Sequence, residues 1–340
     1  MKLLVITQVV DTDHPVLSFF HVWIEELAKH FESIEVICLE KGKYALPKNV
    51  TVHSLGKELG ARSRLSYAFT FLSLVFTLRN RYDRVFVHMN QEYILLVGLV
   101  WKLFGKRVSL WRNHYEGSFL TDIAAAFCDK VFCTSTSSYT ARYRKTVIMP
   151  VGVDTRRFSQ GEKPIPGSIL FLARMAPSKR AELLLEALVL LKEKNIPFTA
   201  SLVGSPLPKD EAYYESLRSR AQALGIADTV TFTPGPSYEE ATAVFQRHEI
   251  FVNASRSGMF DKTLFEAAAG GALPIAVSED WKKLAGDDLA FEADPESLAE
   301  RLSALLAFPP HEKERIRAHL RGLVESHSLA TLVTRLREEV

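Results

Sequence analysis

At 340 residues the chain has room for two domains. It is 47% hydrophobic, 10% aromatic and 24% charged, an ordinary globular composition with enough apolar material for two cores. The formal net charge of +2 is too small for a nucleic-acid-binding protein, but it is unevenly spread: residues 1–150 hold 19 Lys and Arg against 13 Asp and Glu, and residues 151–340 hold 23 against 27. A basic first half suits an acidic partner, such as a membrane surface or an anionic acceptor, or is simply a solvated basic face.

The opening MKLLVITQVV carries one Lys and a short β-branched run before turning polar, so it reads as a first buried strand and not as an export segment. Further short apolar runs follow at Ile34–Leu39, Val50–Leu55, Arg84–His88, Arg107–Arg112, Lys130–Thr134 and Thr146–Pro150. Between most of them lie amphipathic helical stretches, Phe19–Phe31, Leu65–Leu78 and Glu92–Phe104. Such alternation predicts a parallel sheet covered on both faces. The longest apolar stretches, Leu65–Leu78 and Tyr93–Leu103, are too short to span a bilayer. Cys38, Cys128 and Cys133 fall in apolar runs without metal or redox spacing, as reduced core residues of a cytoplasmic protein would.

Residues 151–167 break the rhythm with Gly, Pro and charges and read as a linker between residues 1–150 and a second domain, 168–325. There the alternation restarts. Strands are expected at Ser168–Ala173, Thr199–Val203, Thr229–Thr233, Ile250–Asn253, Ala272–Ala276 and Leu289–Phe291. Helices are expected at Lys179–Lys194, Asp210–Leu224, Tyr238–Arg247, Lys262–Ala269, Pro295–Ala307 and Pro310–Val324. A last helix, Leu329–Glu339 within residues 326–340, is expected to pack back toward the first domain. The fold class is thus α/β, two parallel-sheet units in tandem. Ligands of such sheets bind beyond the carboxyl ends of the strands, so a cleft between the two units is expected.

Two segments carry the chemistry. Phe171–Lys179 follows the first strand of the second domain and opens a helix, with Arg174 and Lys179 near its start. Two cations beside a helix N-terminus suit a diphosphate, or are ordinary surface charges. Ser255–Gly271 joins a strand to a short helix that carries Glu266 in an otherwise apolar face. A carboxylate there needs a partner. Ribose hydroxyls would serve, or the residue is a surface glutamate. His114 follows the fifth strand of the first domain, and His88, Asn90 and Glu92 end the fourth, where they could contact an acceptor. Asp11-Thr-Asp13 is a DxD triplet of the kind that holds a diphosphate-bound metal in other transferases, but it directly follows the first strand, where a loop role fits better. No HExxH, P-loop, GxSxG or Cys/His cluster is present.

These segments together resemble glycosyltransferase family 4, the retaining transferases of the two-domain GT-B fold. The resemblance runs over nearly the whole chain. It includes Met149-Pro-Val-Gly-Val-Asp-Thr-Arg-Arg-Phe158, the Arg174 and Lys179 pair, the strand Ile250–Ser255 and the helix end Glu266-Ala-Ala-Ala-Gly-Gly271. It implies that Arg174 and Lys179 hold the donor diphosphate, that Glu266 binds ribose and that His114 contacts the transferred sugar. The chain departs from the family where a glutamate usually stands eight residues before the ribose glutamate. Here that residue is Gly258, and Asp261 or the backbone N–H groups of Met259 and Phe260 are placed to substitute. The usual glycine-rich first loop is replaced by Asp11–Ser18, and Pro150 stands where Asn is common. The activity implied is a metal-independent, cofactor-free transfer from a nucleotide-diphosphate sugar to a glycan or lipid-linked acceptor, in the cytoplasm or at the inner face of the membrane. A non-catalytic nucleotide-sugar-binding module and a metal-dependent transferase using Asp11 and Asp13 are the alternatives. The apolar stretch Leu65–Leu78, flanked by Arg62, Arg64, Arg79, Arg81 and Arg84, is expected either to dock on anionic membranes or only to cover the sheet.

Overall fold

Along the first strand, Leu3 and Val5 enter one apolar cluster while Leu4 and Ile6 enter another. Side chains alternate across a strand, so a run that is apolar at every position must be covered on both faces. The computed structural model describes all residues except Pro15, Ala61, Arg62, Gln160, Glu162 and 258–261. It divides the chain into two units, Met1–Gly152 with Leu329–Val340, and Val153–Ser328.

In the first unit the elements run β1 (Lys2–Val10), α1 (Phe19–Ala28), β2 (Ser33–Lys41), β3 (Val50–Ser54), α2 (Arg64–Leu78), β4 (Arg84–His88), α3 (Glu92–Leu103), β5 (Arg107–Trp111), α4 (Phe119–Phe127), β6 (Lys130–Cys133) and β7 (Thr146–Ile148). The strands form one parallel sheet in the order β3-β2-β1-β4-β5-β6-β7. The chain winds outward one way from β1 and the other way from β4, so its switch point lies between them. Helices α2, α3 and α4 cover one face, burying Phe71, Trp101 and Ala124. The other face is covered by α1 and by α12 (Leu329–Glu339) from the end of the chain, which buries Leu332, Val333 and Leu336 beside Trp23. Gly152 closes this unit at φ +80°, and a Cβ on it would meet Leu332 at 2.4 Å and Trp23 at 2.8 Å. Only glycine meets both constraints. Cys38, Cys128 and Cys133 are buried thiols, and burial pushes the Cys38 and Cys128 thiols up to about 12.

The second unit runs β8 (Ile165–Leu172), α5 (Ala181–Glu193), β9 (Thr199–Val203), α6 (Glu211–Ala223), β10 (Val230–Thr233), α7 (Ala241–Arg247), β11 (His248–Asn253), α8 (Lys262–Ala269), β12 (Leu273–Ala276), α9 (Glu279–Ala285), α10 (Pro295–Ala307) and α11 (Pro310–Ser326). Its parallel sheet has the order β10-β9-β8-β11-β12, with the switch point between β8 and β11. Two expectations need correction. Strand β8 begins at Ile165, inside the stretch read as linker, because Gly167 sits within it at φ +74° and makes the strand look broken in sequence. Leu289–Phe291 is not a strand of the sheet. It forms a single bridge, Ala276 to Ala290, after a short 3-10 turn.

Candidate functional site

The loops that leave the carboxyl ends of β8, β9, β10 and β11 are packed against one another. After β8, Ala173 N–H donates to Val203 O (3.1 Å) and Met175 N–H to Ser205 O (3.2 Å), so the backbone is pinned on either side of Arg174. After β9, Gly204 adopts φ +155° and sits so close to the β8 loop that a Cβ would meet Ala173 O at 1.8 Å. Gly235, after β10, donates to Ser205 Oγ (3.1 Å). This close approach leaves Arg174 exposed at the strand ends, in no ion pair among the described residues.

Lys179 ends the short turn Pro177–Lys179, and Arg180 follows at φ +54° before α5 starts. The turn sends both side chains across the switch point. Lys179 Nζ donates to Ser255 Oγ (3.0 Å), and the Arg180 guanidinium donates to Ala254 O. Ser255 N–H in turn donates to Asn253 Oδ1 (2.9 Å), at the end of β11. Burial and the nearby Arg256 charge lower the Arg180 pKa. The crevice between β8 and β11 is therefore lined by cations whose ammonium and guanidinium groups are already held in place.

Glu266 lies on α8, just beyond this crevice, and is buried. Its carboxylate is 3.4 Å from the Lys262 ammonium. Lys262 Nζ also reaches Tyr238 OH (3.5 Å), and Arg157 lies over the Tyr238 ring at 4.8 Å. Burial lowers the Lys262 pKa against the opposing pull of Glu266 and Asp154. Burial, with the same two carboxylates, raises that of the Tyr238 phenol. Asp154, two residues into this unit, accepts from the N–H groups of Arg156 (3.2 Å) and Arg157 (3.4 Å). Ser255, Arg180, Tyr238 and Lys262 were not singled out from the sequence. The available signal was weak: Lys262 stands four residues before Glu266, and Arg180 directly follows Lys179. Gly258, Met259, Phe260 and Asp261, expected to contact the donor, lie outside the described residues.

In the first unit the sequence candidates separate. His88 is a core residue. Its ring stacks on Phe20 at 4.0 Å and 10°, with Phe19 and Trp23 closing in, and Nδ1 is 3.4 Å from Thr7 Oγ1. Burial pushes its pKa down to about 3, so it is neutral. The expectation that His88 faces an acceptor is corrected by this stacking. Asn90 is half-buried, and Glu92 is exposed in the first turn of α3. His114 sits in the loop after β5, beside Met89, Arg112, Glu116 and Ser118, on a cavity of about 380 Å³. Its Nδ1 accepts from Glu116 N–H (2.9 Å), which leaves Nε2 to carry the ring proton. Arg112 braces the loop through Gln91 Oε1 (3.1 Å) and Glu116 O (2.8 Å), and Asn113 Oδ1 accepts from Ser138 Oγ (2.9 Å). Asp11 and Asp13 are engaged within their own loop. Asp11 accepts from the N–H groups of Asp13 (3.0 Å) and Lys43 (3.2 Å), and Asp13 pairs with Lys43 Nζ (2.8 Å).

Residues 153–319 match the family model described as glycosyl transferases group 1. Among curated proteins, a D-inositol 3-phosphate glycosyltransferase of Segniliparus rotundus is 27% identical over 202 residues, covering 54% of this chain and 43% of its own length. The protein of the same name from Streptomyces griseus is 31% identical over 153 residues, covering 41% and 32%. The match thus spans less than half of these relatives' length. Among solved structures, Anabaena Alr3699/HepE in complex with UDP and glucose superposes with a TM-score of 0.79 at 16% identity, covering 99% of this chain and 98% of that one. Sucrose-phosphate synthase from Thermosynechococcus elongatus gives 0.77 at 15% identity, with the same coverage. The fold is the GT-B fold that the sequence resemblance implied.

Proposed function

We propose that the chain, whose residues 153–319 match the glycosyl transferases group 1 model, is a retaining, metal-independent glycosyltransferase of that family. Its donor is a nucleotide-diphosphate sugar and its acceptor a glycan or lipid-linked sugar. The observation that carries this reading is the bridged crevice between β8 and β11. There Lys179 is fixed on Ser255, Arg174 is exposed and in no ion pair among the described residues, and Glu266 lies one element away.

In the proposed reaction the bond from the anomeric carbon to the β-phosphate oxygen breaks, and its electron pair stays on the diphosphate. Charge grows there as the sugar gains oxocarbenium character. Arg174 and Lys179 meet that charge. Lys179 is already oriented by its bond to Ser255, so little reorganisation remains to be done at the transition state. The acceptor hydroxyl oxygen bonds to the anomeric carbon on the face the diphosphate leaves, and its proton passes to the departing phosphate oxygen. No protein nucleophile is required. Glu266 accepts from the ribose hydroxyls, and Asp261 or the Met259 and Phe260 amides take the place of the glutamate replaced by Gly258. His114 Nε2–H donates to the transferred sugar, and Asn90 and Glu92 serve the acceptor side.

A thermal-shift series of the full chain against nucleoside diphosphates and their sugars, with chelator and with added divalent ions, tests the reading. UDP comes first, because Alr3699/HepE holds it on the same fold. A ligand at 100 times its dissociation constant adds about 2.7 kcal/mol of stability. Shifts in chelator, followed by sugar transfer, are expected. Shifts only with added metal would overturn metal independence, and binding without transfer would leave a non-catalytic module.

A further inference from the structure

Helices α2, α3 and α4 bury their inner faces against the first unit's sheet, and their outer faces are apolar as well. Leu65, Phe69 and Phe76 on α2, Leu96, Leu99 and Leu103 on α3, and Phe119 and Leu120 on α4 are between 46% and 77% exposed. Helix α2 carries no charged residue from Leu65 to Leu78, and α3 carries none between Glu92 and Lys102. A helix covering a sheet in water ordinarily turns a charged face outward. Here the three helices lie side by side. Phe71 of α2 meets Tyr93 of α3 with ring centroids 4.8 Å apart, Phe76 meets Phe104 at 5.6 Å, and Gly98 of α3 leaves a gap that Phe127 of α4 fills. The exposed side chains therefore belong to one layer, and an apolar surface of this kind marks an interaction site.

The charges around it point to the partner. Residues 64–127 contain eight Lys and Arg against four Asp and Glu. Arg79 and Arg81 follow α2, Lys102 ends the charge-free part of α3, and Lys106 and Arg107 lead into β5. Arg81 pairs with Glu35 (3.6 Å) and Lys102 with Asp129 (2.7 Å), so the basic rim rests on Arg79, Lys106 and Arg107, which are in no ion pair among the described residues. The Arg79 guanidinium donates to the Phe76 carbonyl (2.7 Å) and the Lys106 ammonium to the Tyr82 carbonyl (2.6 Å), which ties both cations to the ends of the apolar helices. Two of the four acids are engaged, Asp83 with the Lys2 N–H (3.2 Å) and Asp122 with Tyr143 and Arg142 (2.5 Å each). A second copy of this face would bring two basic rims together. A protein partner would need an apolar patch ringed by acids. A bilayer surface of anionic lipid supplies both the apolar layer and the negative rim.

We propose that α2, α3 and α4 form a face that docks the chain on anionic lipid bilayers by shallow insertion of Leu65, Phe69, Leu99, Leu103, Phe119 and their neighbours. None of the described helices is long and apolar enough to cross a membrane, so the contact is interfacial. Phe119 directly follows Ser118, which lines the cavity beside His114, so docking holds that cavity next to the headgroups. The step from docking to a lipid-linked acceptor rests on the glycosyl-transfer reading above, whereas docking itself does not.

Flotation of the full chain with phosphatidylcholine vesicles and with phosphatidylcholine–phosphatidylglycerol vesicles tests it. Binding to the anionic vesicles and weak binding to the neutral ones are expected. The triple variant Phe69→Gln, Leu99→Gln, Phe119→Gln changes only exposed side chains and should bind more than about a hundredfold more weakly. Arg79→Gln and Lys106→Gln should each weaken anionic binding about fivefold. Unchanged melting temperatures and nucleotide shifts in these variants would show that neither folding nor the donor site is at fault. Equal binding to both vesicle types, no binding to either, or a dimer that the triple variant dissociates would overturn the proposal.

Discussion

The Lys262 ammonium and the Glu266 carboxylate stand 3.4 Å apart, one turn from each other on α8, with side chains only 17% and 9% exposed. Glutamate in the middle of a buried helix face is costly unless its charge is matched. Here the matching charge comes from the same helix. Burial opposes the Lys262 charge and Glu266 sustains it, so each ion depends on the other. Replacing Lys262 with Met leaves the carboxylate buried with less compensation and should cost about 2–3 kcal/mol of stability. Replacing both residues with Met should recover most of that, because the desolvation of both ions disappears as well. Denaturant midpoints of the two single variants and the double variant measure the coupling. Additive losses would show that the pair is not a unit.

The donor-site reading separates four variants by what each can change. Glu266→Gln turns a charged hydrogen bond to ribose into a neutral one. Charged bonds contribute roughly 1.5–3 kcal/mol and neutral ones about 1, so nucleotide affinity should fall severalfold to about thirtyfold. Arg174→Ala and Lys179→Ala should lower turnover beyond their effect on binding, because the diphosphate charge they meet grows as the sugar leaves. His114→Ala should leave nucleoside diphosphate affinity nearly unchanged while transfer falls. Calorimetry with the diphosphate and a transfer assay give the two readouts. Wild-type transfer by His114→Ala would remove that residue from the active site.

Gly204 offers a test that removes no polar side chain from the strand ends. Its Cβ would meet Ala173 O at 1.8 Å, and that carbonyl belongs to backbone that cannot swing aside as a flexible side chain would. Gly204→Ala must therefore push the β8 and β9 loops apart. Strain of this kind costs about 1–3 kcal/mol. The displaced loop carries Arg174, so nucleotide affinity should fall at least as much as stability does. A variant with wild-type affinity would mean that the β8 loop does not touch the donor.

Much of this arrangement was legible in the sequence because continuous apolar runs of four to six residues encode buried parallel strands. Arg84–His88, Thr199–Val203, Lys262–Ala269 and Leu329–Glu339 form as elements over those same residues. Helices α4 and α9 were not anticipated. Arg174, Lys179 and Glu266 could be placed near strand ends, since that depends on local order alone. The bond from Lys179 to Ser255 spans 76 residues, and the Lys262–Tyr238 contact spans 24, so neither leaves a local pattern. His88 shows the opposite failure. A histidine at a strand end looked accessible, but Phe20, 68 positions earlier in the chain, covers it.

That burial of His88 makes a prediction about pH. Its folded pKa is pushed down to about 3, whereas an exposed histidine in the unfolded chain titrates near about 6.5. Between those values the unfolded chain holds a proton that the folded chain refuses. The contribution of His88 is therefore fully present above about pH 6.5 and is lost as pH falls toward about 3, at about 1.4 kcal/mol per pH unit. His327, pushed down to about 4 by burial in the second unit, acts in the same direction over a narrower window. His88→Phe removes the titrating group while keeping a ring against Phe20, and His88→Leu is a control of smaller volume. The difference in unfolding free energy between wild type and His88→Phe should change with pH between about 6 and 4 and level off above about 7, in favour of wild type as pH rises. Denaturant titrations across that range measure it. A pH-independent difference would mean that His88 takes up its proton in the folded state, and that the stack on Phe20 opens to let it in.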